Sequence, residues 1–135
     1  MRARERTPHL PARTANPKGR NMEQFSGLEM SVRLSVRNPR SDSSSAFGRG
    51  VADLCLGVRN LGSLNAAAKG MGMAYSKAWR IIKDTEAALG MKLLNRDGAH
   101  GSDLTEAGNL LLDSYLSIND QMQAEAQRLF EELTA

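Results

Sequence analysis

The stretch from Ser63 to Leu89 constrains the fold more than any other part of the sequence. Leu64, Ala67 and Ala68 repeat at helical spacing behind Ser63, whose hydroxyl suits an N-cap, and Gly70-Met71-Gly72 then breaks the pattern. A second helical pattern starts near Ala74, with Ala78, Ile82, Thr85 and Leu89 on one stripe of a 3.6-residue helix, and Gly90 ends it. Two short helices joined by a Gly-containing turn fit a helical corner whose inner side other elements must cover.

The flanking segments supply that cover. From Phe47, the apolar residues Val51, Leu54, Cys55 and Val58 predict a first helix that stops at Gly62. After Gly90, residues 91–96, a Gly-rich turn over residues 97–102, and Asp103-Leu104 predict a small β-hairpin. Thr105 caps a last helix reaching about Leu133, with Leu111, Tyr115, Ile118, Met122, Ala126, Leu129 and Leu133 along one stripe. That stripe is longer than three short helices can cover, so it predicts pairing with a second copy. Upstream, residues 31–37 alternate polar and apolar, putting Val32, Leu34 and Val36 on one face of a strand; residues 38–45 form a polar linker. The expected class is mainly α with a small β-sheet: a winged helix-turn-helix with an N-terminal strand and a long C-terminal dimerisation helix. Residues 1–29, carrying three prolines and no apolar periodicity, are expected to be a disordered basic tail, 30–104 the DNA-binding domain, and 105–135 the dimerisation helix.

The formal net charge of +3 conceals an asymmetry along the chain. Residues 1–21 hold six Lys or Arg against Glu5, and residues 49–101 hold eight against Asp53, Asp84, Glu86 and Asp97. After Ser102, Arg128 faces seven acids. A basic middle suits a polyanion, and an acidic end suits solvent or a protein partner. With Ala78, Ile82, Thr85 and Leu89 turned inward, Tyr75, Ser76, Lys77, Arg80 and Lys83 face out from the helix that would enter the major groove. Trp79 lies beside the stripe and reads as a packing anchor.

The stretch Gly62-Ser63-Leu64-Asn65-Ala66-Ala67-Ala68-Lys69 through Met73-Ala74-Tyr75-Ser76-Lys77-Ala78-Trp79-Arg80-Ile81-Ile82 resembles the DNA-binding domain of ModE, the molybdate-responsive regulator. Residues 86–96 and Leu104-Thr105-Glu106-Ala107-Gly108 are similar to the end of the LysR-type helix-turn-helix and its wing. The resemblance implies a bacterial transcription regulator that binds double-stranded DNA as a homodimer on a palindromic operator, with an N-terminal strand added to the wing sheet. It puts Ser63, Tyr75, Ser76, Lys77, Arg80 and Lys83 against DNA, Arg96 and His100 on the wing, and Leu111, Tyr115, Ile118, Met122, Leu129 and Leu133 in the dimer. Where LysR-type proteins often cap the recognition helix with Ser, this chain has Ala74.

Other chemistry finds little footing. His9, His100 and Cys55 make no metal-ligand set, and no nucleophile–base pair, phosphate loop or dinucleotide glycine pattern is present. No enzyme activity, cofactor, metal or molybdate site is expected. One cysteine, no signal-like segment and no long apolar run predict a cytoplasmic protein with no membrane contact. Two rival readings keep the same fold: a winged-helix protein–protein interaction module, and a short ModE-like regulator that relies on a partner for oxyanion sensing.

Overall fold

The computed structural model describes residues 23–96 and 101–135. The described residues make up two compact units: residues 33–119, and residues 23–32 with Asp120–Ala135. The larger unit is the winged helix. Helix α1 spans Arg49–Leu61, α2 Leu64–Gly70 and α3 Tyr75–Leu89; strands β1 (Leu94–Arg96) and β2 (Ser102–Leu104) follow, and α4 runs Glu106–Thr134. The fold class is thus mainly helical with a two-stranded antiparallel sheet, in the register Leu94↔Leu104, Asn95↔Asp103 and Arg96↔Ser102.

The turns form where the sequence provides for them. Gly62 and Gly90 end α1 and α3 with φ of 87° and 74°, the left-handed conformation that glycine adopts without a Cβ clash. The Ser63 hydroxyl accepts the Ala66 N–H at 3.0 Å, and the Thr105 hydroxyl accepts the Gly108 N–H at 2.8 Å, so both expected N-caps form. Phe47, Leu54, Cys55, Val58, Leu64, Ile82, Leu93 and Leu112 are the largest fully buried apolar side chains. Gly108 lets α4 approach it, since a Cβ there would collide with the Leu93 carbonyl.

Two expectations need correction. The N-terminal segment does not join the wing sheet, which among the described residues contains β1 and β2 alone. Residues 31–36 do alternate between exposed and half-buried, but the segment's backbone finds other partners. Val36 and Phe47 exchange two backbone hydrogen bonds as an isolated antiparallel bridge, and the Leu34 carbonyl accepts the Tyr115 hydroxyl at 2.9 Å. Period-two alternation reports an extended backbone with one covered face; it does not say what pairs with that backbone.

The stripe on α4 also divides. Tyr115 is buried in the winged unit with Leu112 and Asn119, its ring edge-on to Phe47 at 5.5 Å, so it serves this chain's own core. Ile118, Met122 and Leu129 are exposed, while Leu111 and Leu133 are half-buried. The first turns of α4 belong with the winged unit, beyond the boundary expected at residue 105.

In the smaller unit a 3-10 turn, Glu23–Phe25, leads into an extended segment within the range expected to be a tail. The Gln123 side chain accepts the Val32 N–H and donates to the Val32 carbonyl, at 3.1 and 2.6 Å. Four residues on, Gln127 accepts the Met30 N–H and donates to the Leu28 carbonyl. Phe25 meets Phe130 edge to face at 6.2 Å. The rest of that tail, residues 1–22, lies outside the described residues. Among those described, no helix is long and apolar enough to cross a membrane.

Candidate nucleic-acid interface

Helices α2 and α3 form the corner expected from the sequence. Between them Gly72 takes a φ of 67°, and the Met73 N–H donates to the Ala68 carbonyl at 2.9 Å, closing the turn. Behind α3, Ala78, Ile82 and Thr85 are buried and Leu89 is half-buried against the core. The inward stripe fixes the helix rotation, and Tyr75, Ser76, Lys77, Arg80 and Lys83 are all exposed on the other side.

The exposed face is ordered in part by its own contacts. The Lys83 ammonium lies 5.3 Å from the centre of the Trp79 ring, a cation–π arrangement that limits where the charge can go. Trp79 is half-buried and packs against the core, as a packing anchor should. Ala74 gives α3 no side-chain cap, and the Lys77 N–H of its first turn donates back to the Ala74 carbonyl at 3.1 Å. Lys77 and Arg80 enter no ion pair with any described carboxylate.

The wing root is fixed from three sides. Glu86, on α3 and almost buried, accepts the Leu93 and Leu94 N–H groups at 2.7 and 3.2 Å, holding the entry to β1. The Thr105 hydroxyl donates to the Lys92 carbonyl at 2.8 Å, tying the exit of β2 to the same stretch. The Ser102 N–H donates to the Gly62 carbonyl at 3.1 Å, so β2 is bound to the turn from which α2 starts. The backbone of Arg96 closes β1; its side chain and His100 lie outside the described residues.

The Ser63 hydroxyl, expected both to cap α2 and to face DNA, makes the cap. Arg59, counted with the basic middle, donates to Asn109 Oδ1 at 2.7 Å and to the Asp113 carboxylate at 2.8 Å, clamping α1 to α4. Glu86 was missed as an organiser of the wing. A carboxylate four residues beyond Ile82 and seven before the first N–H it accepts gives no periodic signal, since the pairing depends on the chain reversing after Gly90.

Residues 53–109 match the family model described as "Bacterial regulatory helix-turn-helix protein, lysR family". Among solved structures, "Crystal structure of CbnR_DBD-DNA complex" superposes with a TM-score of 0.52 at 28% identity, covering 59% of this chain and 91% of that one. A second, "Crystal structure of VV2_1132, a LysR family transcriptional regulator", gives a TM-score of 0.47 at 26% identity over 55% of this chain and 25% of that one. No curated protein sequence matches the chain.

Proposed function

We propose that this chain, a LysR-type winged helix-turn-helix protein by its residues 53–109, regulates transcription by binding a palindromic operator as a homodimer. The observation that carries the reading is the face of α3: Tyr75, Ser76, Lys77, Arg80 and Lys83 all exposed, on a helix rotated by its buried stripe. The major groove admits one helix, and its first turns reach the base edges. Tyr75 and Ser76 offer hydroxyls there, Lys77 and Arg80 offer cationic donors, and the uncapped N-terminus of α3 suits a phosphate oxygen. Lys83, held over Trp79, lies farther along the helix, where backbone phosphate is the natural partner. Arg96 and His100 on the wing are assigned to phosphate or the minor groove.

The homodimer rests on Ile118, Met122 and Leu129, which α4 leaves exposed at 47%, 41% and 37%. Regular apolar exposure along one helix favours a partner surface over solvent. For both recognition helices of a two-fold pair to enter the major groove on one side of the duplex they must lie about 34 Å apart, one turn of DNA, and a pair so spaced selects a palindrome. The reading needs no catalytic step and no cofactor.

Fluorescence anisotropy with DNA from upstream of its own gene and of neighbouring genes, repeated at several salt concentrations, tests the proposal. Tight binding that favours one sequence and weakens with salt is the expected result. Absence of DNA binding at low salt overturns it in favour of a protein–protein module.

A further inference from the structure

Among the described residues, some arginines are engaged in ion pairs and others are not. Arg49, Arg59 and Arg128 each meet a carboxylate, at 3.4, 2.8 and 2.6 Å. Arg33, Arg37 and Arg40, in the segment ahead of α1, are exposed and pair with no acid among the described residues. All three lie outside the stretch matched by the family model, so the shared helix-turn-helix does not account for them.

Their backbone is nevertheless held. Val36 is bridged to Phe47 in both directions, at 2.9 and 2.8 Å, and the Tyr115 hydroxyl bonds the Leu34 carbonyl. Leu34 and Val36 pack on the core, so the alternation turns Arg33, Ser35 and Arg37 outward. After the turn, the Asn38 side chain accepts the Arg40 N–H at 3.0 Å and its carbonyl accepts the Ser41 N–H at 3.0 Å, fixing the chain at Arg40. The segment passes the start of α1, where a Cβ on Gly48 would lie 3.9 Å from the Leu34 carbonyl oxygen. Four residues of extended chain separate Arg33 from Arg37 by about 13 Å, enough for each guanidinium to take a separate phosphate. A row of arginines on an ordered backbone loses little further entropy on binding, and the planar guanidinium matches a phosphate with two parallel hydrogen bonds.

We infer that Arg33, Arg37 and Arg40 form a second DNA contact, a phosphate-holding strip that adds affinity without reading sequence. The inference rests on the DNA-binding reading above, which already brings one polyanion to this domain. Basic segments ahead of a helix-turn-helix are a general means of extending its grip on the duplex.

The experiment compares the full chain with a triple variant, Arg33→Ala, Arg37→Ala and Arg40→Ala, by anisotropy on a selected operator and on a scrambled duplex. Each phosphate contact contributes about 0.9 to the slope of log affinity against log salt, so removing three flattens it by about 2.7. The parent's advantage over the variant then shrinks about 40-fold between 50 and 200 mM salt. Preference for operator over scrambled DNA stays unchanged, as do the thermal melt and the sedimentation behaviour. The triple Lys variant keeps the parent's slope, because a point charge suffices for counterion release. Equal slopes for parent and Ala variant overturn the strip and leave the DNA-binding reading intact; so does an altered sequence preference or oligomeric state. A parent without salt-dependent DNA binding overturns both.

Discussion

Removing the Glu86 side chain tests how the wing is held. Its carboxylate accepts the Leu93 N–H at 2.7 Å and the Leu94 N–H at 3.2 Å, and the residue is only 9% exposed. Glu86→Ala leaves two buried donors without a partner. A hydrogen bond to a charged acceptor contributes about 1.5 to 3 kcal/mol and a longer second one less, so the loss should be about 2 to 4 kcal/mol. The winged unit spans 87 residues, from 33 to 119, and for that size each kcal/mol moves Tm by about 4 to 8 °C. The variant should therefore melt roughly 8 to 32 °C below the parent when followed by circular dichroism. Glu86→Gln keeps an acceptor oxygen and gives up the charge, so it should lose about 1 kcal/mol and fall between the two. If both variants melt within about 2 °C of the parent, water or another group satisfies those donors, and the account of the wing root is wrong.

Lys77→Ala or Arg80→Ala should weaken operator binding by roughly 1 to 3 kcal/mol for each base-reading hydrogen bond removed, with the melt unchanged, and anisotropy showing parental affinity would count against the α3 face. Met122→Lys with Leu129→Lys should weaken self-association by about 3 kcal/mol, on the order of 100-fold, in sedimentation equilibrium; a parent that is monomeric at micromolar concentration would remove the dimer and the palindrome together. Burial, reinforced by the nearby Glu86 charge, pushes the Cys55 thiol up to about 12 from its usual value of 9.0. The folded protein should thus resist thiol reagents at pH 8. A raised thiol pKa means the folded state keeps its proton longer, so this contribution to stability is complete below pH 9 and lost as pH rises towards 12. Relative to Cys55→Ala, the parent should lose stability across that window in urea titrations, and parallel curves would contradict the assignment.

Local signals account for what the sequence made legible. Ala78, Ile82, Thr85 and Leu89 gave the rotation of α3, and with it the outward face, because a helix has one period and one buried side. Ser63 and Thr105 gave two helix starts because a capping hydroxyl acts within three residues. The features not legible depend on long-range pairing. Tyr115 looked like part of a dimer stripe, yet Phe47 and the Leu34 carbonyl, far away in sequence, draw it into the core. Arg59 counted as a surface cation until α4 brought Asn109 and Asp113 beside it. Residues 31–36 showed which way their side chains alternate, while the partners of their backbone lie in α4 and at Phe47.

Gln123 and Gln127 hydrogen-bond the segment over residues 28–32 through its main chain, and the match is one of pitch. Four residues of helix advance about 6 Å, nearly the repeat of two extended residues. Side chains at Leu28, Glu29 and Ser31 are therefore unconstrained by these bonds. As far as these bonds go, Met30 and Val32 need only not be proline, which has no N–H to give. The side chains that make these bonds sit in the helix, 91 to 99 residues away.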